Sequence, residues 1–165
     1  MPRGFTLVEL LIVLVLVGVM GSIAVLAMGQ ADPGRRVQLE AQRLARLLEL
    51  AEQEASIRGE VVGIELYAGG YRFLQQADGW QAINDELFQA RTLSAPLQLA
   101  LTLNGEVKTL PLKPQYQPQP QLVLSPDGDS EAFRIAITDG DTSRYWLDNG
   151  GEGDIRVSSD EVGGR

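Results

Sequence analysis

Met1-Pro2-Arg3-Gly4-Phe5-Thr6-Leu7-Val8-Glu9 opens the chain, and an apolar run from Leu10 to Met28 follows it. That run is 19 residues long, carries no charge and has one hydroxyl, Ser22. As a helix it reaches about 28 Å at ~1.5 Å per residue, close to the ~30 Å of a bilayer core. Glu9 stands at its mouth. An ionised group in hydrocarbon costs roughly 2.5 kcal/mol or more, so this carboxylate needs a partner or a purpose. The alternative is a headgroup-level position one turn from Phe5, where it would do little.

The segment does not read as an ordinary secretory signal, in which a small-residue cleavage site follows the apolar stretch. Here the short basic leader holds Arg3 alone and ends at Gly4, before the apolar run. A cut after Gly4 would leave the apolar segment on the mature protein as an N-terminal anchor.

Gly4, Phe5-Thr6-Leu7-Val8-Glu9 and Leu10-Leu11-Ile12-Val13 together resemble the leader of type IV pilins and pseudopilins. The resemblance implies that a prepilin peptidase cuts between Gly4 and Phe5, that Phe5 is then N-methylated, and that Glu9 is the assembly glutamate. Charge chemistry agrees with that role. Cleavage creates an amine on Phe5, and one chain's amine can neutralise the next chain's Glu9 when anchors stack. Burial raises a carboxyl pKa and a nearby ammonium lowers it, so the pairing would decide the charge.

Composition bounds the remainder. A chain of 165 residues is one domain plus an anchor. The residues from 32 onward are enough for one core that buries about two thirds of its unfolded surface. With 14 basic and 22 acidic side chains the net charge is −8. That is a poor match for nucleic acid, whose binding rests on Lys and Arg. There is no Cys and no His, which removes disulfides, zinc thiolates and the commonest general base. Ser125 and Ser143 lack both a Gly-x-Ser-x-Gly context and a His, so no catalytic residue is expected.

Two signals disagree on orientation. Arg35 and Arg36 follow the apolar run and only Arg3 precedes it, which by the positive-inside rule favours a cytoplasmic C-terminal domain. The leader resemblance implies the reverse: N-terminus in the cytoplasm, domain in the periplasm. The leader decides, because its peptidase works from the cytoplasmic face.

Val37, Ala41, Leu44, Leu48, Ala51 and Ala55 recur at spacings of four and three and form one apolar stripe of a helix over 32–58. Arg36, Glu40, Arg43, Arg46, Glu49 and Gln53 mark its opposite face. Asp32-Pro33 is a joint where the helix kinks or restarts, and Gly59 suits its C-terminal end. Short strands then run through 60–158. Val61–Leu66 and Tyr71–Leu74 flank Ala68-Gly69-Gly70 as a hairpin, and Trp80–Ile83 adds a third strand. Leu97, Leu99, Leu101 and Leu103 alternate strictly, and Asn104-Gly105 turns them into Val107–Leu112. Lys113 to Pro120 reads as an extended loop. Leu122–Leu124, Phe133–Ile137, Tyr145–Leu147 and Ile155–Val157 complete the strands. The fold class is α+β, a long N-terminal helix packed on antiparallel sheet.

The acidic loops at Asp127–Ser130, Asp139–Asp141 and Asp148–Gly151 match no calcium-loop pattern and read as turns, so no metal and no cofactor is expected. Trp80 and Trp146 read as core or sheet-face residues.

Arg43–Leu48, Glu54-Ala55, Arg58-Gly59, Val62-Gly63-Ile64, Gly70–Leu74 and Leu124–Gly128 followed by Phe133-Arg134 are similar to the protein H (GspH) group of type II secretion pseudopilins. The group's architecture implies a leader 1–4, a transmembrane helix 5–31 and a periplasmic pseudopilin domain 32–165. It implies a structural minor subunit near the tip of the pseudopilus, in the inner membrane, that helps initiate assembly. The partners implied are the other minor pseudopilins, the major pseudopilin and the prepilin peptidase. A minor pilin of a type IV pilus, including a DNA-uptake subunit, is the alternative, and a membrane-anchored envelope enzyme is a third reading.

Overall fold

The structure, a computed structural model, describes residues 7–29, 33–140, 143–150 and 154–160. The chain divides into two compact units, Met1–Asp32 and Pro33–Arg165.

The first unit is the helix α1 (Leu7–Gly29), whose one acidic residue, Glu9, lies in its first turn. Its side chains are described from Leu7 to Val19, and every one of them is exposed. Among the described residues no helix is long and apolar enough to cross a membrane. The backbone of α1 stays helical beyond Val19, to Gly29.

The second unit begins with α2 (Pro33–Arg58). Proline suits a first helical position, where its missing N–H has no partner to lose. Val37, Ala41, Leu44, Leu48, Ala51 and Ala55 are all fully buried, as their spacing requires, and Ala45 and Leu47 widen the buried face. Burying a leucine such as Leu44 or Leu48 stabilises the fold by about 1.5–3 kcal/mol. Gly59 ends the helix at φ 67°. The Ala55 carbonyl accepts from Gly59 N at 2.9 Å and from Glu60 N at 3.2 Å, a left-handed cap that favours glycine.

Among the described residues ten strands follow: β1 (Val62–Tyr67), β2 (Gly70–Ala77), β3 (Gly79–Ala82), β4 (Arg91–Thr92), β5 (Gln98–Leu103), β6 (Glu106–Lys108), β7 (Leu122–Leu124), β8 (Phe133–Thr138), β9 (Arg144–Asp148) and β10 (Arg156–Asp160). They form two five-stranded sheets. One has the order β3-β2-β1-β7, with β4 also paired to β2; the other is β10-β9-β8-β5-β6. All pairings are antiparallel. The core lies where α2 packs against β1 and β7 of one sheet and β8, β9 and β10 of the other. Ile64, Leu66, Tyr71, Phe73, Leu122 and Leu124 face it from the first sheet; Leu99, Leu101, Ile135, Ile137 and Leu147 face it from the second. The α+β class expected from the sequence is the class observed.

Most strand boundaries differ from expectation by one to a few residues, β10 for instance running Arg156–Asp160, and two of the shifts have a visible cause. The partner of β5 stops at Lys108 instead of reaching Leu112. Beyond it the chain crosses to the first sheet, where the Pro111 carbonyl accepts from Ala68 N at 2.8 Å. Strand β2 runs on to Ala77, past the expected Leu74, because β3 pairs with its outer half.

Strand β1 is buried at all six positions. Alternation sends Val62, Ile64 and Leu66 to the core, so something else must cover Gly63, Glu65 and Tyr67. Trp80 and the proline-rich segment 109–121 cover Gly63 and Glu65, while the Tyr67 ring lies against Gly70 with its hydroxyl donating to the Arg91 carbonyl. A Cβ on Gly63 would come within 2.7 Å of Trp80 Cζ3 and 2.9 Å of Pro120 Cβ. Trp80 is thus a sheet-face residue, as expected.

Candidate functional site

A helix that is apolar on every side has no face to give to water. In α1 Leu7 is 80% exposed and Leu14 71%. Monomeric soluble proteins rarely expose a contiguous apolar surface of this kind. Glu9 is the single ionisable side chain between Leu7 and Gly29 and is exposed. Gly4 and Phe5, the expected cleavage and methylation positions, lie outside the described residues.

The outer face of α2 is less polar than its sequence stripe suggests. Arg36, Arg43, Arg46, Glu49 and Gln53 are exposed, as expected, but Leu39, Leu50 and Ile57 share the surface with them. Glu40 turns aside and is half-buried: its carboxylate accepts from Arg91 Nη2, and from Arg91 Nε at 3.4 Å. Glu52 is half-buried too. Burial pushes its pKa up first, and the like charges of Glu49 and Asp154 push it further. Among the described residues, no cluster of three or more acids has the geometry to hold a metal ion.

Clefts mark the surface of the domain among its described residues, and four of them bear on a candidate site. The first, about 340 Å³, runs from Gly105 and Phe133 to Trp146 and Gly150. Trp146 is half-buried on the outer face of the second sheet, another sheet-face position. The guanidinium carbons of Arg134 and Arg144 lie 5.7 and 5.5 Å from its ring centre. Asn149, 1% exposed, closes one end of that cleft. It accepts from Phe133 N at 3.0 Å and donates to Glu131 O at 3.0 Å, which ties the loop before β8 to the end of β9. The others lie beside α2 and are lined in part by Glu54, Glu60 and Asp85, by Glu52 and Asp127, and by Glu49 and Asp154. Of the site residues the sequence singled out, Glu9 stands on α1, and the clefts belong to the second unit.

The sequence carries two matches to protein-family models. Residues 40–160 match Type II transport protein GspH, and residues 2–25 match the prokaryotic N-terminal methylation motif. A curated relative named type II secretion system protein H, from Vibrio cholerae, is 33% identical, the match covering 82% of this chain and 81% of that one. A relative of the same name from Aeromonas hydrophila is 28% identical over 87% and 85%. The solved minor pseudopilin EpsH of Vibrio cholerae shares the fold, with a TM-score of 0.65, 23% identity and coverage of 76% of this chain and 97% of that one. The solution structure of Escherichia coli GspH has a TM-score of 0.60 at 22% identity, covering 82% and 98%.

Proposed function

The chain belongs to the family of type II transport protein GspH, and from that premise we propose that it is a structural minor subunit of a type II secretion pseudopilus. The observation that carries the reading is α1, apolar on all its described sides and bearing one carboxylate near its start. Such a helix suits two surroundings in turn, the bilayer before assembly and a bundle of like helices after it.

In this reading the prepilin peptidase removes residues 1–4, and Phe5 becomes the N-methylated first residue. The helix holds the chain in the inner membrane with the domain from residue 32 onward in the periplasm. Glu9 meets the terminal amine of a neighbouring subunit. Inside a helix bundle that pair is drawn together because each charge would otherwise be desolvated alone. The subunit sits near the tip, among the other minor pseudopilins and above the major one. It works by assembling and catalyses no reaction.

Mass spectrometry of the membrane-extracted protein tests the first step. The expected product begins with methylated Phe5, and Gly4→Val abolishes it. An intact Met1 on assembled protein overturns the proposal.

A further inference from the structure

We infer that Tyr116 is a recognition anchor, held out toward a different protein subunit by a clamp that Glu65 and Arg72 place on the backbone of Gln115. The inference rests on the pseudopilus reading, which supplies protein neighbours.

The clamp is made from side chains that ordinarily have no place in a sheet interior. Glu65 is 0% exposed. Its Oε2 accepts from Arg72 Nε, the residue directly opposite on β2, and its Oε1 accepts from Gln115 N at 2.9 Å. Arg72 Nη2 donates in turn to Gln115 O at 2.6 Å. Both backbone groups of one loop residue are therefore held by one ion pair. Burying a carboxylate is costly, and an apolar pair of the same size is often as stable or more so. What the pair contributes that apolar side chains would not is the fixed position of Gln115.

The rest of the segment is held as firmly. Leu66 N donates to Gln121 Oε1 at 2.7 Å, and Gln121 N donates to Ile64 O at 3.0 Å. Gln121 Nε2 donates to Gln119 O at 3.0 Å. Pro114, Pro118 and Pro120 fix their own φ angles and restrict the residues before them. Immediately beyond the clamp, Tyr116 is 101% exposed, and Leu112 on the same segment is 83% exposed. An apolar ring on a stiff support is unusual for a loop that serves only to connect. It is what an interface anchor needs: large contact area, two side-chain torsions to fix, and a backbone already ordered.

Charge identifies the partner. From Pro114 to Pro126 there is no ionisable group except the phenol, in a chain of net charge −8. The complementary surface is therefore an apolar pocket rimmed by hydrogen-bond donors for the carbonyls of a proline-rich backbone. A second copy fits poorly. It carries the same −8, which opposes close approach, and each of the four clefts described above is lined in part by a carboxylate, Asp148 in the first. The occupant is a different pilin-like subunit.

The test places photoreactive benzoylphenylalanine at position 116, and separately at position 13 of α1, in the full chain in its native membrane. The expected result at 116 is an adduct with one pilin-like subunit other than this chain, identified by mass spectrometry. Tyr116→Ala should lower co-purification of that subunit roughly 30-fold, as for a ~2 kcal/mol anchor, and Tyr116→Phe should keep most of it. Arg72→Lys keeps the charge opposite Glu65 but loses the forked reach to Gln115. It should lower the adduct yield at 116 and leave the yield at 13 unchanged. An adduct at 116 with a second copy or with an exported protein overturns the inference. So does no adduct at 116 when position 13 captures pilin-like subunits, in which case the pseudopilus reading stands. No adduct from either position overturns both.

Discussion

Arg91 and Glu40, 51 positions apart, are joined by a hydrogen-bonded ion pair that ties the two-residue strand β4 to α2. The Glu40 hydrogen bond raises the Arg91 pKa. Because Arg91 is 37% exposed and Glu40 only 17%, water screens one end of the pair more than the other. A double-mutant cycle of Glu40→Gln and Arg91→Gln should give a coupling of about 1 kcal/mol that falls as salt rises. A coupling of zero in thermal unfolding of the detergent-solubilised chain would show that the pair is ornamental.

Tyr71 lies buried close by, and among the described residues its hydroxyl makes no well-aligned hydrogen bond, Arg43 being the side chain that approaches it as a donor. Burial foremost, then the Glu40 charge, pushes its pKa up to about 12, against the opposing pull of Arg43 and Arg91. A phenol pKa raised in the fold means that stability is fully present below the unfolded value near 10. It is lost as pH climbs from there through about 12. Tyr71→Phe removes a buried polar group that lacks a well-aligned partner, so stability at pH 7 should stay level or rise by up to ~1 kcal/mol. The loss above pH 10 should shrink with it. A loss of about 2 kcal/mol or more at pH 7 would show that Arg43 holds the hydroxyl in a full hydrogen bond.

Gly70 and Gly69 make a sharp pair. A Cβ on Gly70 would stand 2.0 Å from the Arg91 carbonyl and 2.8 Å from the Tyr67 hydroxyl, whereas one on Gly69 meets nothing within 4 Å. The Tyr67 hydroxyl donates to that same carbonyl at 3.0 Å. Gly70→Ala should cost about 1–3 kcal/mol through forced separation of β2 and β4. Gly69→Ala should leave the unfolding midpoint nearly unchanged. Equal effects at the two positions would contradict the packing.

The sequence was most legible where a single period governs. The six stripe positions of α2 and the alternating leucines of β5 needed only a count of three and four, or of two. Asn104-Gly105 adopts the expected hairpin turn, with φ of 50° and 82°. Strand β4 left no trace because two residues carry no period. The burial of Glu65 was equally hidden. It depends on a cross-strand arginine and on a loop that begins 44 residues later at Thr109, and neither is visible in a local pattern. For the candidate site, the leader and Glu9 were read from their place before an apolar run, while Tyr116 gave no sign within a segment that reads as plain loop.

Glu52 offers a pH test on α2. Its carboxyl pKa is raised, so the fold favours the neutral form, and ionisation works against stability as pH rises through and above the ordinary value of 4.5. Glu52→Gln should raise the melting temperature at pH 7, with the advantage vanishing below pH 4. A lower melting temperature at pH 7 would mean that the charge is compensated.

Glu9→Ala should leave membrane insertion and processing intact, since removing a charge eases entry into hydrocarbon. Incorporation beside other subunits should fall, read as loss of crosslinks between neighbouring α1 helices. Unaltered crosslinking would show that the carboxylate is dispensable for assembly.

The apolar girth of α1 also changes how weak a domain contact can be and still matter. Under the proposed anchoring, a chain tethered through that helix would meet its neighbours in a plane, where short tethers give effective concentrations of the order of millimolar. At that concentration a contact with a Kd near 1 mM, about 4 kcal/mol, is already half occupied. One presented tyrosine on a stiff loop lies within that range. The same pair of domains cut free of their helices would drift apart at micromolar dilution, so neighbours in the filament can be specific to one another while remaining strangers in solution.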